Sequence, residues 1–247
     1  MNKDINLIMP MAGKGSRFIK NGFEFPKPLI EINEKPFFYW STQSIRKFID
    51  LRSLIFVVLK EHIEKFKIHE EIKKYFPEAQ IEIIPEVLNG AVLTCIEGVK
   101  QVDNEYPIIF NDCDHMFYSS SFHNYCNEGK LSNVDGTLLT FNSNESKFSY
   151  LECNNVGHVI RTVEKVVISN DAICGTYCFK NKNVFMGSAQ EYLKVCNYNE
   201  YFVSGIYNVM ADNGKIINKF SADKHLSFGT PEEYNIALDS KDFEVLL

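Results

Sequence analysis

Short apolar runs and segments with apolar residues at helical spacing alternate along the chain, the pattern of an α/β protein. Residues 5–9 form a compact apolar run closed by Pro10 and predict a buried first strand. A short extended piece at 29–32 and a turn at 33–35 follow. Pro36 then opens a helix to residue 48, since its missing N–H costs nothing in a first turn. Residues 54–59 predict a second strand. Ile63, Phe66, Ile72, Tyr75 and Phe76 make one helical stripe ended by Pro77, and 81–84 is a third strand closed by Pro85. A helix with Ala91, Cys95, Ile96 and Val99 on one face leads to a fourth strand at 107–110.

The second half is more polar. Residues 119–127 are rich in Ser and Asn, 135–141 and 149–152 predict strands around a loop tip at 142–147, and 156–160 crosses a turn towards 163–165. Residues 172–179 read as a strand, 181–195 and 203–212 as helices, with Asn213-Gly214 as a left-handed stop, and 215–220 as a strand. Thr230 and Pro231 open a last helix, with Glu233 placed to complete a capping box.

The chemistry concentrates at two places. After the first strand, Gly13 and Gly15 allow positive φ, so that successive N–H groups converge on an anion, and Arg17 and Lys27 add positive charge: a polyphosphate fits best. A P-loop is excluded, because Gly13-Lys14 is followed by Gly15 rather than Ser or Thr, and a dinucleotide fingerprint is excluded by Phe18 where its third Gly belongs. The second place is the end of the fourth strand, Asn111-Asp112-Cys113-Asp114-His115. Carboxylates at a parallel strand's C-terminal end lie where open α/β sheets bind ligands, and they supply the oxygen donors Mg²⁺ takes when it is shared with phosphates. An ordinary Asp turn is the alternative there.

With 247 residues, 45% of them hydrophobic, the chain can bury one large core. A net charge of −6 with dispersed Lys and Arg argues against nucleic-acid and anionic-membrane partners, so phosphate binding is local. Seven cysteines without a C-x-x-C pair, no signal peptide and no apolar run of transmembrane length lead us to expect reduced thiols in a cytoplasmic protein.

Gly13-x-Gly15-Ser16-Arg17 followed by Pro26-Lys27-Pro28 resembles the signature of the sugar-phosphate nucleotidylyltransferases, the NTP-transferase family. The likeness continues through Glu86, Gly90-Ala91, the Asp112/Asp114 segment, Glu164-Lys165, Gly175-x-Tyr177-x-Phe179 and Phe228-Gly229-Thr230-Pro231-Glu232-Glu233-Tyr234. It implies a Rossmann-like, mostly parallel mixed sheet flanked by helices, as one domain with a nucleotide-binding half to about residue 118 and an acceptor-binding half beyond it. By the resemblance, Met11, Ala12, Gly13, Gly15, Ser16, Arg17, Glu86, Gly90 and Ala91 bind the nucleotide. Arg17, Lys27 and Lys165 are catalytic, Glu164, Lys165, Gly175 and Tyr177 hold the acceptor, and Asp114, supported by Asp112, binds Mg²⁺. At Gly90 the bottom-up alternative is a plain helix start capped by Asn89.

The implied reaction joins an NTP, with CTP, dTTP or UTP favoured, to a sugar 1-phosphate or another small phosphorylated metabolite and releases pyrophosphate, for surface-polysaccharide precursors. The resemblance leaves a homo-oligomer open. One departure stands out: Ser227 replaces a second metal-binding Asp common in the family, which leaves Asp223 or His225 to move in, or the chemistry altered. A nucleotide-sugar-dependent glycosyltransferase and an inactive nucleotide-binding relative are the competing readings.

Overall fold

The computed structural model describes residues 4–247. Strand β1 (Ile5–Pro10) lies at the centre of a sheet and alternates its side chains between two apolar layers, with Leu7 and Met9 on one face and Ile8 on the other. Helix α1 (Ser16–Lys20) is a short turn after the glycine loop. A hairpin, β2 (Glu31–Ile32) and β3 (Lys35–Pro36), turns on Asn33 and Glu34, both at positive φ, and delivers the chain to α2 (Phe37–Arg46). Strand β4 (Leu51–Leu59) begins three residues before its apolar run.

The single helix expected over 63–76 is two, α3 (Lys60–Phe66) and α4 (Ile68–Tyr75), because Lys67 takes a left-handed conformation at φ 54°. Strand β5 (Gln80–Ile84), α5 (Ala91–Gly98) and β6 (Ile108–Asn111) complete the first half.

Two further elements replace the polar stretch expected after Asp114. They are β7 (His115–Tyr118) and α6 (Ser120–Asn127), the latter capped by the Ser119 hydroxyl and buried through Phe122, His123 and Cys126. Strands β8 (Gly136–Asn142), β9 (Ser149–Cys153), β10 (Val159–Glu164) and β11 (Asp171–Phe179) follow. Then come α7 (Lys182–Val195), α8 (Ile206–Asp212), β12 (Ile217–Ser221), the unforeseen β13 (Lys224–Ser227) and α9 (Pro231–Leu238).

The main sheet runs β10-β9-β11-β6-β1-β4-β5, with β8 beside β11 and β12 beside β8. Pairings β1–β4, β1–β6, β4–β5 and β8–β12 are parallel, whereas β11 is antiparallel to β6, β8 and β9. Helices cover both faces: α5, α7 and α8 close one core, and α2, α4 and α6 the other. The fold is thus the Rossmann-like mixed sheet that was expected.

A third apolar cluster sits under the glycine loop. It gathers Phe18, Trp40, Met116, Phe228, Phe243 and Leu246 from both ends of the chain. There β7 and β13 form a separate antiparallel ribbon, and the Phe228 N–H donates to the Asp114 carbonyl at 2.9 Å.

Candidate active site

Strand β1 ends in the glycine loop, and neighbouring β6 ends in the acidic segment, so both open at the same edge of the sheet. They line one cleft of about 490 Å³ with residues 10–16 and Lys27 on one wall, Asp112 to Asp114 at the base, and Val87 to Ala91 opposite. A second cleft of about 230 Å³ adjoins it. Ala91, Asp112 and Asp114 line both, so two ligands placed in the two clefts would meet at those carboxylates.

On the loop, Met11 and Ala12 are buried, and the Met11 N–H is taken by the Val57 carbonyl. The N–H groups of residues 12–15 donate to no backbone carbonyl among the described residues, which leaves them open to an anion. Only Gly15 takes positive φ (59°); Gly13 does not, and what it provides is open space, since a Cβ there would meet nothing within 4 Å. A Cβ on Gly15 would lie 3.2 Å from Lys27 Cβ, so that glycine lets the loop sit directly against the root of Lys27. Ser16 lines the first cleft, while Arg17 is exposed and faces the second.

Opposite the loop, Gly90 and Ala91 line the first cleft, and Glu86 is exposed just before that wall begins. Gly90 is required by its own backbone and by a neighbouring loop. Its backbone (φ 101°, ψ 162°) suits only glycine, and a Cβ would fall 2.3 Å from the Tyr201 nitrogen, so a neighbouring loop, rather than a ligand, excludes a side chain there. Tyr201 N donates to Asn89 O at 3.3 Å, and Tyr201 O accepts from Val92 N at 3.2 Å. Asn89 makes no side-chain cap, so the plain capped start is not what forms.

At the base, the Lys27 ammonium donates to Asp114 Oδ2 at 2.7 Å. Burial alone would lower the Lys27 pKa, but Asp114 outweighs it and holds the ammonium above the usual lysine range. For Asp114, burial pushes the carboxyl up and Lys27 overcomes this, so it stays below its ordinary value and ionised. Among the described residues Asp112 has no such ion-pair partner: burial and the Asp114 charge raise it to about 7.

An aspartate whose folded pKa stands above its unfolded value of 3.8 binds more protons folded than unfolded. It favours the fold fully below about 4 and progressively less as pH rises to about 7. We therefore expect Asp112→Asn to flatten the loss of stability across that window. Thermal melts of metal-free protein at several pH values check this, and parallel wild-type and variant profiles would reject it.

In the second cleft, Glu164 accepts from the Ser149 and Ser204 hydroxyls, and Tyr177 forms part of the wall, its phenol pushed well up by burial. Gly175 (φ 86°) leaves room beside Asp112, whose Oδ2 would lie 2.9 Å from a Cβ. Lys165 lines neither cleft; its ammonium lies 4.8 Å from the centre of the Phe202 ring, which does.

Sequence reasoning missed Lys147, read as a loop tip but lining the second cleft and bridging Glu233 at 2.9 Å. Glu233 is therefore engaged in that ion pair, while Thr230 caps α9 as expected. Of the two groups proposed to stand in near Ser227, Asp223 caps α6 through the Ser120 N–H and hydroxyl. His225 and Ser227 both line the second cleft, His225 with its ring stacked 3.8 Å over Phe141. Among the described residues neither ring nitrogen of His115, on the facing strand, has a hydrogen-bond partner; burial lowers its pKa to about 4.

A Rossmann-like sheet whose central strands end in a glycine loop and a carboxylate pair sets both at the edge where open α/β sheets bind their ligands. The sequence model of the nucleotidyl transferase family matches residues 5–237, and the chain belongs to that family, whose members include the sugar-phosphate pyrophosphorylases. Among solved structures it is similar to the nucleoside-diphosphate-sugar pyrophosphorylase from Vibrio cholerae RC9, at 22% identity and TM-score 0.81 over 95% of this chain and 100% of that one. It is also similar to a Bacillus anthracis protein provisionally described as a glucose-1-phosphate thymidylyltransferase, in complex with sucrose, at 17% identity and TM-score 0.76 over 95% and 94% of the two chains. No curated protein matches significantly. Among the described residues no helix is long and apolar enough to cross a membrane.

Proposed function

We propose that the chain is a Mg²⁺-dependent nucleotidylyltransferase that couples an NTP, with CTP, dTTP or UTP favoured, to a sugar 1-phosphate or another small phosphorylated metabolite. The role we assign is supply of activated precursors for surface polysaccharide. The observation that carries the reading is the shared base of the two clefts: the glycine loop and Lys27 face Asp112 and Asp114 across one, and the other opens onto the same carboxylates.

A phosphate oxygen of the acceptor attacks the α-phosphorus, the bond to the β-phosphate oxygen breaks, and pyrophosphate leaves with the electron pair. No proton need move, so the barrier is electrostatic and positional. The free N–H groups of residues 12–15 hold the departing phosphates, with Met11, Ala12 and Ser16 shaping the loop, and Arg17 reaches towards them from the second cleft. Lys27 steadies the α-phosphate, and Gly90 and Ala91, with Glu86 at the rim, contact the base. Glu164, Gly175 and Tyr177 receive the acceptor, and Lys147, which lines that cleft, fixes its phosphate, with Lys165 reaching in from beside Phe202.

Asp112 and Asp114 suit Mg²⁺: both are hard oxygen donors, and Gly175 and Gly229 leave space directly beside them, since Cβ atoms there would lie 2.9 and 2.5 Å from their Oδ2 atoms. When bound, Mg²⁺ would neutralise phosphate charge at the reacting centre. Ser227, a weaker metal donor than a carboxylate, leaves these two aspartates as the protein's share.

Incubating the protein with each NTP against a library of phosphorylated acceptors, with pyrophosphate as readout, tests the reading. Release that needs both substrates is expected. NTP binding without turnover across the library, or transfer from nucleotide-sugars instead, would replace it with an inactive relative or a glycosyltransferase. Arg17→Ala is expected to lower kcat about a hundredfold with an unchanged melt; a near-wild-type rate would remove Arg17 from the chemistry.

A further inference from the structure

We propose that Lys27 is the resident counter-cation of Asp114 in the metal-free protein, so that the divalent site forms only when a polyphosphate draws the ammonium away. The inference rests on the nucleotidylyl-transfer reading above and adds an order to it: metal and nucleotide load together, and metal alone binds poorly.

Three observations carry it. First, Lys27 and Asp114 make a direct 2.7 Å contact, with only 27% and 23% of their side chains exposed, so solvent screens the pair incompletely. An ammonium and a divalent ion cannot both occupy that carboxylate's near side without strong repulsion.

Second, protein donors are scarce. Among the described residues no group of three or more His, Cys, Asp or Glu side chains is arranged to hold an ion. Mg²⁺ prefers octahedral oxygen coordination and is commonly held by one or two carboxylates plus substrate phosphates. Here the carboxylates that line both clefts are Asp112 and Asp114, and the second is already paired with the Lys27 ammonium.

Third, Lys27 has somewhere to go. Its Cβ packs against Gly15, and the same cleft contains the open N–H groups of the loop. A four-carbon stem rooted there can turn its ammonium from Asp114 towards phosphates seated on that loop without backbone movement. The triphosphate thus acts twice, supplying oxygens to the metal and removing the competing cation.

The test uses nucleotide-free protein with Mn²⁺ alone as probe, free Mn²⁺ being read by electron paramagnetic resonance. Wild type is expected to bind weakly, and Lys27→Met to bind at least about tenfold more tightly, the scale of relieving one charge contact in a partly screened site. Lys27→Gln repeats the measurement with a polar side chain in case the Met variant melts early. Lys27→Arg, which keeps the charge, is expected to stay weak.

Equal or weaker Mn²⁺ binding in a folded Met or Gln variant overturns the proposal, as does wild-type binding that already matches the variants. Absence of pyrophosphate release from every substrate pair would sink the functional reading and leave the Mn²⁺ comparison standing. Equal Mn²⁺ affinities would sink this inference and leave the reaction untouched.

Discussion

Asp114→Asn is expected to abolish metal-dependent turnover, lowering kcat by about a hundredfold to a thousandfold or more, whereas Asp112→Asn only weakens it. The ranking follows from the electrostatics at the strand end. Asp114 is kept ionised by Lys27 and lines both clefts, so it becomes a fully charged ligand once the ammonium turns from it to the phosphates. Asp112, raised to about 7, is partly protonated near neutrality and gives a weaker ligand until a cation is in place. Asn at 114 keeps the side chain's shape, and the backbone bond from Phe228 N to the 114 carbonyl does not depend on the side chain, so the fold is expected to persist. Pyrophosphate release against Mg²⁺ concentration, with a thermal melt alongside, checks both variants. The reverse order of damage would make Asp112 the principal ligand.

The second large effect concerns Gly90. Gly90→Ala is expected to destabilise the protein by about 2 kcal/mol or more and to raise the KM for the nucleotide far more than the KM for the acceptor. Two costs add. The backbone at φ 101° and ψ 162° is a region that residues with a Cβ avoid, and the new methyl would strike the Tyr201 backbone at 2.3 Å. Relief requires residues 89–92 and the Tyr201 loop to separate, breaking the pair of bonds between them and reshaping the wall opposite the phosphates. Denaturant unfolding and separate substrate titrations measure the two parts; a variant with native stability and nucleotide KM would show that the loop yields freely.

What could be read from the sequence divides along physical lines. Strands buried on both faces are near-continuous apolar runs, so β1, β4, β6 and β11 stood out, and the glycine loop and acidic strand end could be set on them. The ribbon of β7 and β13 did not. His115–Tyr118 follows two aspartates and looked like part of a metal motif, and Lys224–Ser227 alternates too briefly to signal a strand. Helix α6 hid behind Ser and Asn residues because its buried stripe is only Phe122, His123 and Cys126. The break at Lys67 carries no glycine or proline to announce it. In the site, loop residues close in sequence could be grouped in advance. Lys147 and Phe202 could not, since they reach the second cleft from distant segments by tertiary packing alone, nor could Tyr201, whose backbone packs against Gly90.

The apolar cluster beneath the glycine loop has a consequence for synthesis. A ribosome delivers the loop, Lys27 and Asp114 within the first half of the polypeptide, yet the floor supporting them is finished by Phe228, Phe243 and Leu246. A transcript cut short after β12 would therefore encode the principal charged groups at the carboxylate base and still yield a protein unable to hold them in register.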